Sequence, residues 1–318
     1  MTSYDRLGRR PRTEPTSTGK RITLQPGDLI WLRKLAEHGP LPSSYLLAFT
    51  RHLRRSEKRA QERLTDLFHE AETPHGGRYL ERPPQQFRTI DSRYNQLVYD
   101  LAPVGRRALL AAERRITPAS TAGPWLHRHM VACTTASIEL AALARPDLSF
   151  IPGREILARA TTELRYPVSI LDDGGGSITK HLIPDALFGL SYHTPEGDRF
   201  RFFVVECDRA TEPATSGNWN RKSWRRSLRQ YQAYISGGAY RDHLRLTAPL
   251  LVLNVCTVAS RMAKLIDGSE RALGPVSYQL FQTWESFGPV WRPPQPNPDL
   301  LNAPWRRAGR SDLLIAEP

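Results

Sequence analysis

The stretch "IPDALFGLSYHTPEGDRFRFFVVECDRATEP", residues 183–213, sets one carboxylate at the start of an apolar strand pattern and two at the end of the next. Charged oxygens in such places are costly to desolvate unless a cation meets them. Side chains alternate across a strand, so Glu206 and Asp208 face one side and Cys207 the other. A hairpin closed through "SYHTPEGDR" lays the start of the first strand beside the end of the second, and Asp185 then meets Glu206. Hard oxygen donors converging at a strand end suit Mg2+ or Mn2+, an ion that binds a scissile phosphate oxygen and acidifies a water in phosphodiester hydrolysis. In that reading Asp185 bridges, Glu206 ligates and the Cys207 carbonyl adds a third oxygen. Glu155, on what reads as the preceding strand, is the next ligand. Asp208 assists, and Glu139 on a long apolar helix is held in reserve.

Several elements must position these groups. After the apolar helix "WLHRHMVACTTASIELAALA", strands are expected at "REILARA", "IPDALFGL", "FRFFVVEC" and "APLLVLNVC". A helix at "SWRRSLRQYQAYI" precedes the last of these, another at "SRMAKLID" follows it, and a strand is expected near "VSYQLFQTW". This αβββαβ order over 125–290 predicts an α/β domain, α+β for the chain as a whole, with a mixed sheet covered by helices. The proline-rich tail, 291–318, reads as extended packing or disorder.

The front of the chain reads differently. Residues 1–21 have the composition of a disordered basic arm. From Pro26, "PGDLIWLRKLAEHG", "LPSSYLLAFTRHL" and "SEKRAQERLTDLFHE" read as three helices, the third capped by Ser56 with Ala60, Leu64 and Leu67 as its buried stripe. Two strand-like segments, "GGRYLERPP" and "RYNQLVYDLA", follow, then a helix from Pro103. Three helices and a two-stranded wing are the order of a winged helix, here 22–116, joined to the second domain by the linker 117–124. Its third helix suits a major groove.

Charge points the same way. The chain has 318 residues and a formal charge of +13, and residues 1–116 carry 22 Lys and Arg against 13 Asp and Glu. A polyanionic partner is implied, double-stranded DNA first. Arg54, Arg55, Lys58, Arg59 and Arg63 around the third helix, and Arg78 and Arg82 of the wing, are the expected contacts. Three cysteines in apolar settings read as reduced, which suggests the cytoplasm. The longest apolar run is too short for a bilayer, and no membrane role is expected.

Other signals carry less. His127, His129 and Cys133 do not share one helix face, and no second cluster completes a zinc site. "DDGGGS" lacks the Gly-Lys-Ser/Thr of a phosphate loop and reads as a hairpin turn. Trp219 and Trp224 read as packing, and no serine sits in a glycine elbow.

The P-D pattern, then an acidic ligand ending an apolar strand, resembles the PD-(D/E)XK nuclease core. With the basic winged helix ahead, "VVECDRATEP", the helix carrying Tyr231 and Tyr234, and His127 opening its long helix, the chain over 22–270 resembles the replication-relaxation family. The resemblance implies a plasmid or mobile-element protein related to mobilisation relaxases that nick DNA with a metal-bound acidic cluster. Tyr231 and Tyr234 are then the nearest candidates for a covalent tyrosine. The chain departs from the nuclease pattern at Asp208, which stands where a lysine is expected. Lys222 is the first candidate for a migrated cation, with Arg226, Arg209 and Lys180 as others. The rival reading is a non-catalytic regulator whose nuclease-like domain serves dimerisation or partner docking. A homodimer is compatible with both.

Overall fold

The computed structural model describes residues 10–54, 56–88, 91–113, 123–210, 218–287 and 291–318. The chain divides into two compact units, Met1–Leu140 with Arg292–Asn297, and Ala141–Trp291 with Pro298–Pro318.

The first unit contains α1 (Pro26–His38), β1 (Leu41–Pro42), α2 (Ser43–Phe49), α3 (Glu57–His69), β2 (Leu80–Glu81), β3 (Val98–Leu101) and α4 (Pro103–Ala112). A long helix, α5 (Trp125–Leu143), carries the chain into the second unit. The three short strands pair antiparallel in the order β1-β3-β2. Helix α1 begins at a Pro in its first position, where no N–H is needed, and the Asp28 carboxylate accepts from the Gln25 amide at 2.9 Å. Helix α3 begins at Ser56, whose hydroxyl accepts from the Arg59 amide, and it buries Ala60, Leu64, Leu67 and Phe68. The indole of Trp31, fully buried, donates to the Leu46 carbonyl at 2.6 Å and so ties α1 to α2.

The basic arm differs from its expectation. Residues 10–22 are strapped across the end of α3 by Glu70, a buried carboxylate. It accepts from Arg10 Nη1 (2.9 Å), Ser17 Oγ (2.7 Å), Thr18 N (2.9 Å) and Thr18 Oγ1 (2.8 Å). The Thr16 amide donates to His69 Nδ1 at 2.9 Å, Lys20 pairs with Asp66 at 2.6 Å, and Ile22 is buried with its amide on Ala71 O. A polar, proline-rich composition hides this, because the ordering comes from one distant anion rather than from an apolar face.

Acid should therefore release the strap. Burial opposes the Glu70 charge, but the Thr18 amide, the Ser17 and Thr18 hydroxyls and Arg10 hold its carboxyl below the ordinary 4.5. Burial, then Arg82 and Arg10, push His69 from 6.5 down to about 4, so it is the neutral acceptor Thr16 requires. Both groups take protons more readily in the unfolded chain. Stability is full above 6.5, falls towards 4 as the unfolded His69 protonates, and falls further as Glu70 protonates. Once the slower intrinsic exchange in acid is divided out, the protection factors of the Thr16 and Thr18 amides are expected to fall over that window; protection factors unchanged from neutral to acid pH would contradict it.

The second unit contains β4 (Leu148–Pro152), α6 (Gly153–Ala160), β5 (Tyr166–Leu171), β6 (Ser177–Leu182), β7 (Ala186–Thr194), β8 (Gly197–Asp208), α7 (Trp224–Tyr231), α8 (Ala239–Leu244), β9 (Leu250–Cys256), α9 (Ala259–Leu273), β10 (Gln279–Thr283), α10 (Asp299–Asn302), β11 (Trp305–Arg307) and β12 (Arg310–Leu313). Seven strands form one sheet in the order β12-β11-β10-β9-β8-β7-β4. Strands β4, β7 and β8 are an antiparallel meander, β8, β9 and β10 run parallel, and β11 and β12 return antiparallel. The parallel steps are crossed by α7 and α9. Every residue of β9 is buried, as expected of a strand at the centre of a covered sheet.

Two expectations change here. "REILARA" is helix α6, not a strand: Ile156 and Ala160 are buried one helical turn apart, and the intervening Arg, Leu and Ala favour helix. The preceding strand is instead "LSFIP", β4. Gly153 lets α6 start against β7, since a Cβ there would lie 2.2 Å from the Leu187 carbonyl oxygen. The tail is likewise more than extended packing, because β11 and β12 complete the sheet and Trp305 is fully buried. Strands β5 and β6 form a separate hairpin, and the turn "DDGGGS" is held by Asp172 Oδ1 accepting from the Gly174 and Gly176 amides.

Candidate functional site

The β7–β8 ladder ends at the pair Ala186 and Val205, and Asp185 and Glu206 are the next residues beyond it. The Asp185 amide donates to the Val205 carbonyl at 3.0 Å, and Asp185 Oδ2 accepts from the Cys207 amide at 2.8 Å. In an antiparallel ladder one residue turns its N–H and C=O to the same neighbour. The Cys207 carbonyl therefore faces the Asp185 side as well. Both carboxylates are half-buried.

Glu206 Oε1 accepts a short hydrogen bond from the Tyr231 hydroxyl at the end of α7. Tyr231 is 2% exposed, and burial, followed by the charges of Glu206 and Asp185, drives its phenol well above the ordinary range. It is a fixed donor, poorly suited to be a nucleophile. Tyr234 is also buried and donates to His243 Nδ1 (2.7 Å), whose Nε2–H goes to the Glu163 carbonyl (2.9 Å). Burial, with Tyr166 beside it, raises the Tyr234 phenol too.

Asp208 faces the same side as Glu206, as alternation requires, but meets a different helix. Its Oδ2 accepts from Arg261 Nε (3.0 Å) and Nη2 (2.9 Å) in the first turn of α9, and Oδ1 accepts from the Ala210 amide at 2.5 Å. Sequence reading did not single out Arg261, because nothing in the spacing ties it to a strand 53 residues away. Glu155 is exposed in the first turn of α6, so its placement on a strand is corrected. Lys222 is exposed just ahead of α7. Arg226 donates to the Asn220 carbonyl at 3.0 Å and so holds that approach to α7.

Among the described residues, the three-donor group whose ligand atoms lie within 4.8 Å of one another is Glu37, His38 and Glu139, in the first unit. It already contains its cation. Lys34 Nζ lies 2.6 Å from Glu37 and 2.6 Å from Glu139, while His38 bridges Glu139 (2.7 Å) and Thr135 (2.8 Å). Burial opposes the Glu139 charge, yet His38 and Lys34 hold its carboxyl below the ordinary range. Glu139 is thus occupied within a polar cluster between α1 and α5. His129, pushed down to about 4 by burial, stacks on Trp125 at 5.0 Å and bonds the Pro40 carbonyl at 2.9 Å.

The basic residues expected at DNA divide into two sets. Lys58 and Arg59 are exposed on α3, and Arg78 is half-buried. Arg54 and Arg63 instead clasp the buried Asp28, with Nη2 atoms 2.8 and 2.6 Å from its oxygens, and Arg54 also lies 4.0 Å over Trp31. Arg82, 6% exposed, is packed on Phe68 at 3.9 Å and donates to the Tyr99 hydroxyl and the Arg12 carbonyl, so it cannot reach a phosphate. Arg55 lies outside the described residues.

Residues 32–248 match the replication-relaxation family, from within α1 to the loop before β9. The chain belongs to this family. No curated protein and no solved structure matches it. Membership ties the protein to replication or relaxation of plasmids and mobile elements. In this replication-relaxation protein Asp185, Glu206 and Tyr231 all lie inside the matched segment, whereas Arg261 lies beyond it. Among the described residues, no helix is long and apolar enough to cross a membrane.

Proposed function

We propose that the protein binds double-stranded DNA of a plasmid or mobile element through its first unit, a winged helix, and nicks it at a metal site in the second, a PD-(D/E)XK-like domain. One observation supports the catalytic half: Asp185 and Glu206 are the residues next to the last β7–β8 pair, in a meander followed by a parallel crossover, and both charges bear on the Tyr231 phenol. Two carboxylates and the Cys207 carbonyl are a hard-oxygen set that fits Mg2+ or Mn2+, which keep several waters and need few protein donors. The ion would supply a Lewis acid for the scissile phosphate and an acidified water. The chain's own groups do the positioning: the Cys207 amide fixes Asp185, and the Tyr231 hydroxyl fixes Glu206. The charge excess of the first unit and the exposed Lys58 and Arg59 support the DNA half.

A specific observation favours the second reading, a regulator that binds DNA without cutting it. Where the nuclease pattern has a lysine, Asp208 is tied to Arg261, so the guanidinium there is already neutralised. Supercoiled plasmid with Mg2+ or Mn2+ separates the two. The nickase yields open circles, and Asp185→Asn abolishes them while retaining a gel shift. Intact plasmid with the parent protein, alongside a retained shift, rejects cutting and leaves the regulator.

A further inference from the structure

We propose that residues 91–96, just ahead of β3, are a pre-set second contact for duplex DNA, with Tyr94 and Arg93 facing outward and Arg12 of the N-terminal strap holding the segment in place. The proposal rests on the DNA-binding reading above and deepens it. Tyr94 is 90% exposed, and its neighbour Arg93 is exposed with it. A tyrosine so placed adds almost nothing to the core, yet the backbone under it is tied down from several directions.

Arg12 donates through Nη1 to the Arg93 carbonyl and through Nη2 to the Asn95 carbonyl at 3.1 Å, one on each side of Tyr94. The Arg12 carbonyl is held in turn by the buried Arg82 at 3.2 Å. At the loop's end, Gln96 Nε2 donates to the Pro293 and Pro294 carbonyls at 3.0 and 2.9 Å, and its Oε1 accepts from the Ser44 amide at 3.0 Å. Asp91, which accepts the Tyr94 amide at its carbonyl (3.0 Å), is ion-paired with Arg292.

Ordering a loop costs backbone entropy, and here the ordered product is an outward aromatic next to an exposed arginine. Tyrosine gives a rigid, amphipathic contact with little side-chain entropy left to lose on binding. Arginine beside it suits phosphate and the narrow groove of a duplex. The strap thereby acquires a role: its Arg12 holds the segment that meets DNA.

Fluorescence anisotropy of a labelled duplex with the full-length protein tests this. Tyr94→Ala should weaken binding on the order of tenfold, with Tyr94→Phe close to the parent. Arg93→Ala should lower the salt slope by about one. Arg12→Ala should also weaken binding, and adding Tyr94→Ala to it should cost clearly less than the two separate losses combined, because the aim of Tyr94 is already lost. Parent-like affinity of Tyr94→Ala, or full additivity with Arg12→Ala, overturns the proposal while leaving DNA binding intact. A parent that does not shift duplex at all overturns both, and a preference for single strands reassigns the loop away from duplex DNA.

Discussion

Asp28→Ala is expected to destabilise the first unit by about 3–5 kcal/mol, the cost of removing one partner from a buried ionic cluster. Asp28 is 0% exposed, and its carboxylate serves three elements at once. It accepts from Gln25 N to cap α1, from Arg54 Nη2 on the segment before α3, and from Arg63 Nε and Nη2 within α3. Without it two guanidiniums remain in a poorly hydrated site, and one cap, itself worth about 1 kcal/mol, is lost. Denaturant unfolding followed by intrinsic fluorescence, in a background where Trp31 is the one tryptophan retained, measures the change. DNA affinity offers an independent check. Were Arg54 and Arg63 phosphate contacts, freeing them from Asp28 would tighten binding; as internal clamps, their release is expected to weaken it along with the fold. A parent-like unfolding midpoint combined with tighter DNA binding would restore their reading as contacts.

Asp28 also marks the boundary between what sequence reveals and what it hides. Helix α3 is legible because Ser56, Ala60, Leu64 and Leu67 obey a local rule, a cap followed by an apolar stripe. The β7–β8 hairpin is legible for a similar reason: a turn sets the register, and the register puts Asp185 and Glu206 next to its last pair. Helix α6 is not, since two buried residues in seven fit either period. Cations are the hardest to assign. Lys58 and Arg54 look alike in a basic run, and only the fold shows that a buried anion claims one of them. The strap is the same case from the other side: Glu70, unremarked at the end of a helix, orders a segment whose composition reads as disorder. Long-range charge pairing obeys no period, so it becomes visible only in three dimensions.

The acidic pair should show itself most plainly in metal binding, measured by Mn2+ titration of the full-length protein. Glu206→Gln is expected to abolish tight binding, because an amide oxygen lacks the charge that offsets dehydration of a divalent ion. Tyr231→Phe keeps that charge and removes only the hydroxyl that orients Glu206 Oε1. Groups that orient a ligand typically contribute about 10–100-fold in metal affinity, so a loss in that range is expected, alongside a destabilisation of the second unit of about 1.5–3 kcal/mol for one hydrogen bond to a carboxylate. The two variants separate charge from geometry. If Tyr231→Phe binds Mn2+ as the parent does, the phenol is merely packed against Glu206. If Glu206→Gln also binds normally, the oxygens at the ends of β7 and β8 do not hold the ion, and Asp208 stays with Arg261 in a structural pair. A graded loss, complete for the carboxylate and partial for its donor, is the pattern expected of a cation seated between adjacent strand ends.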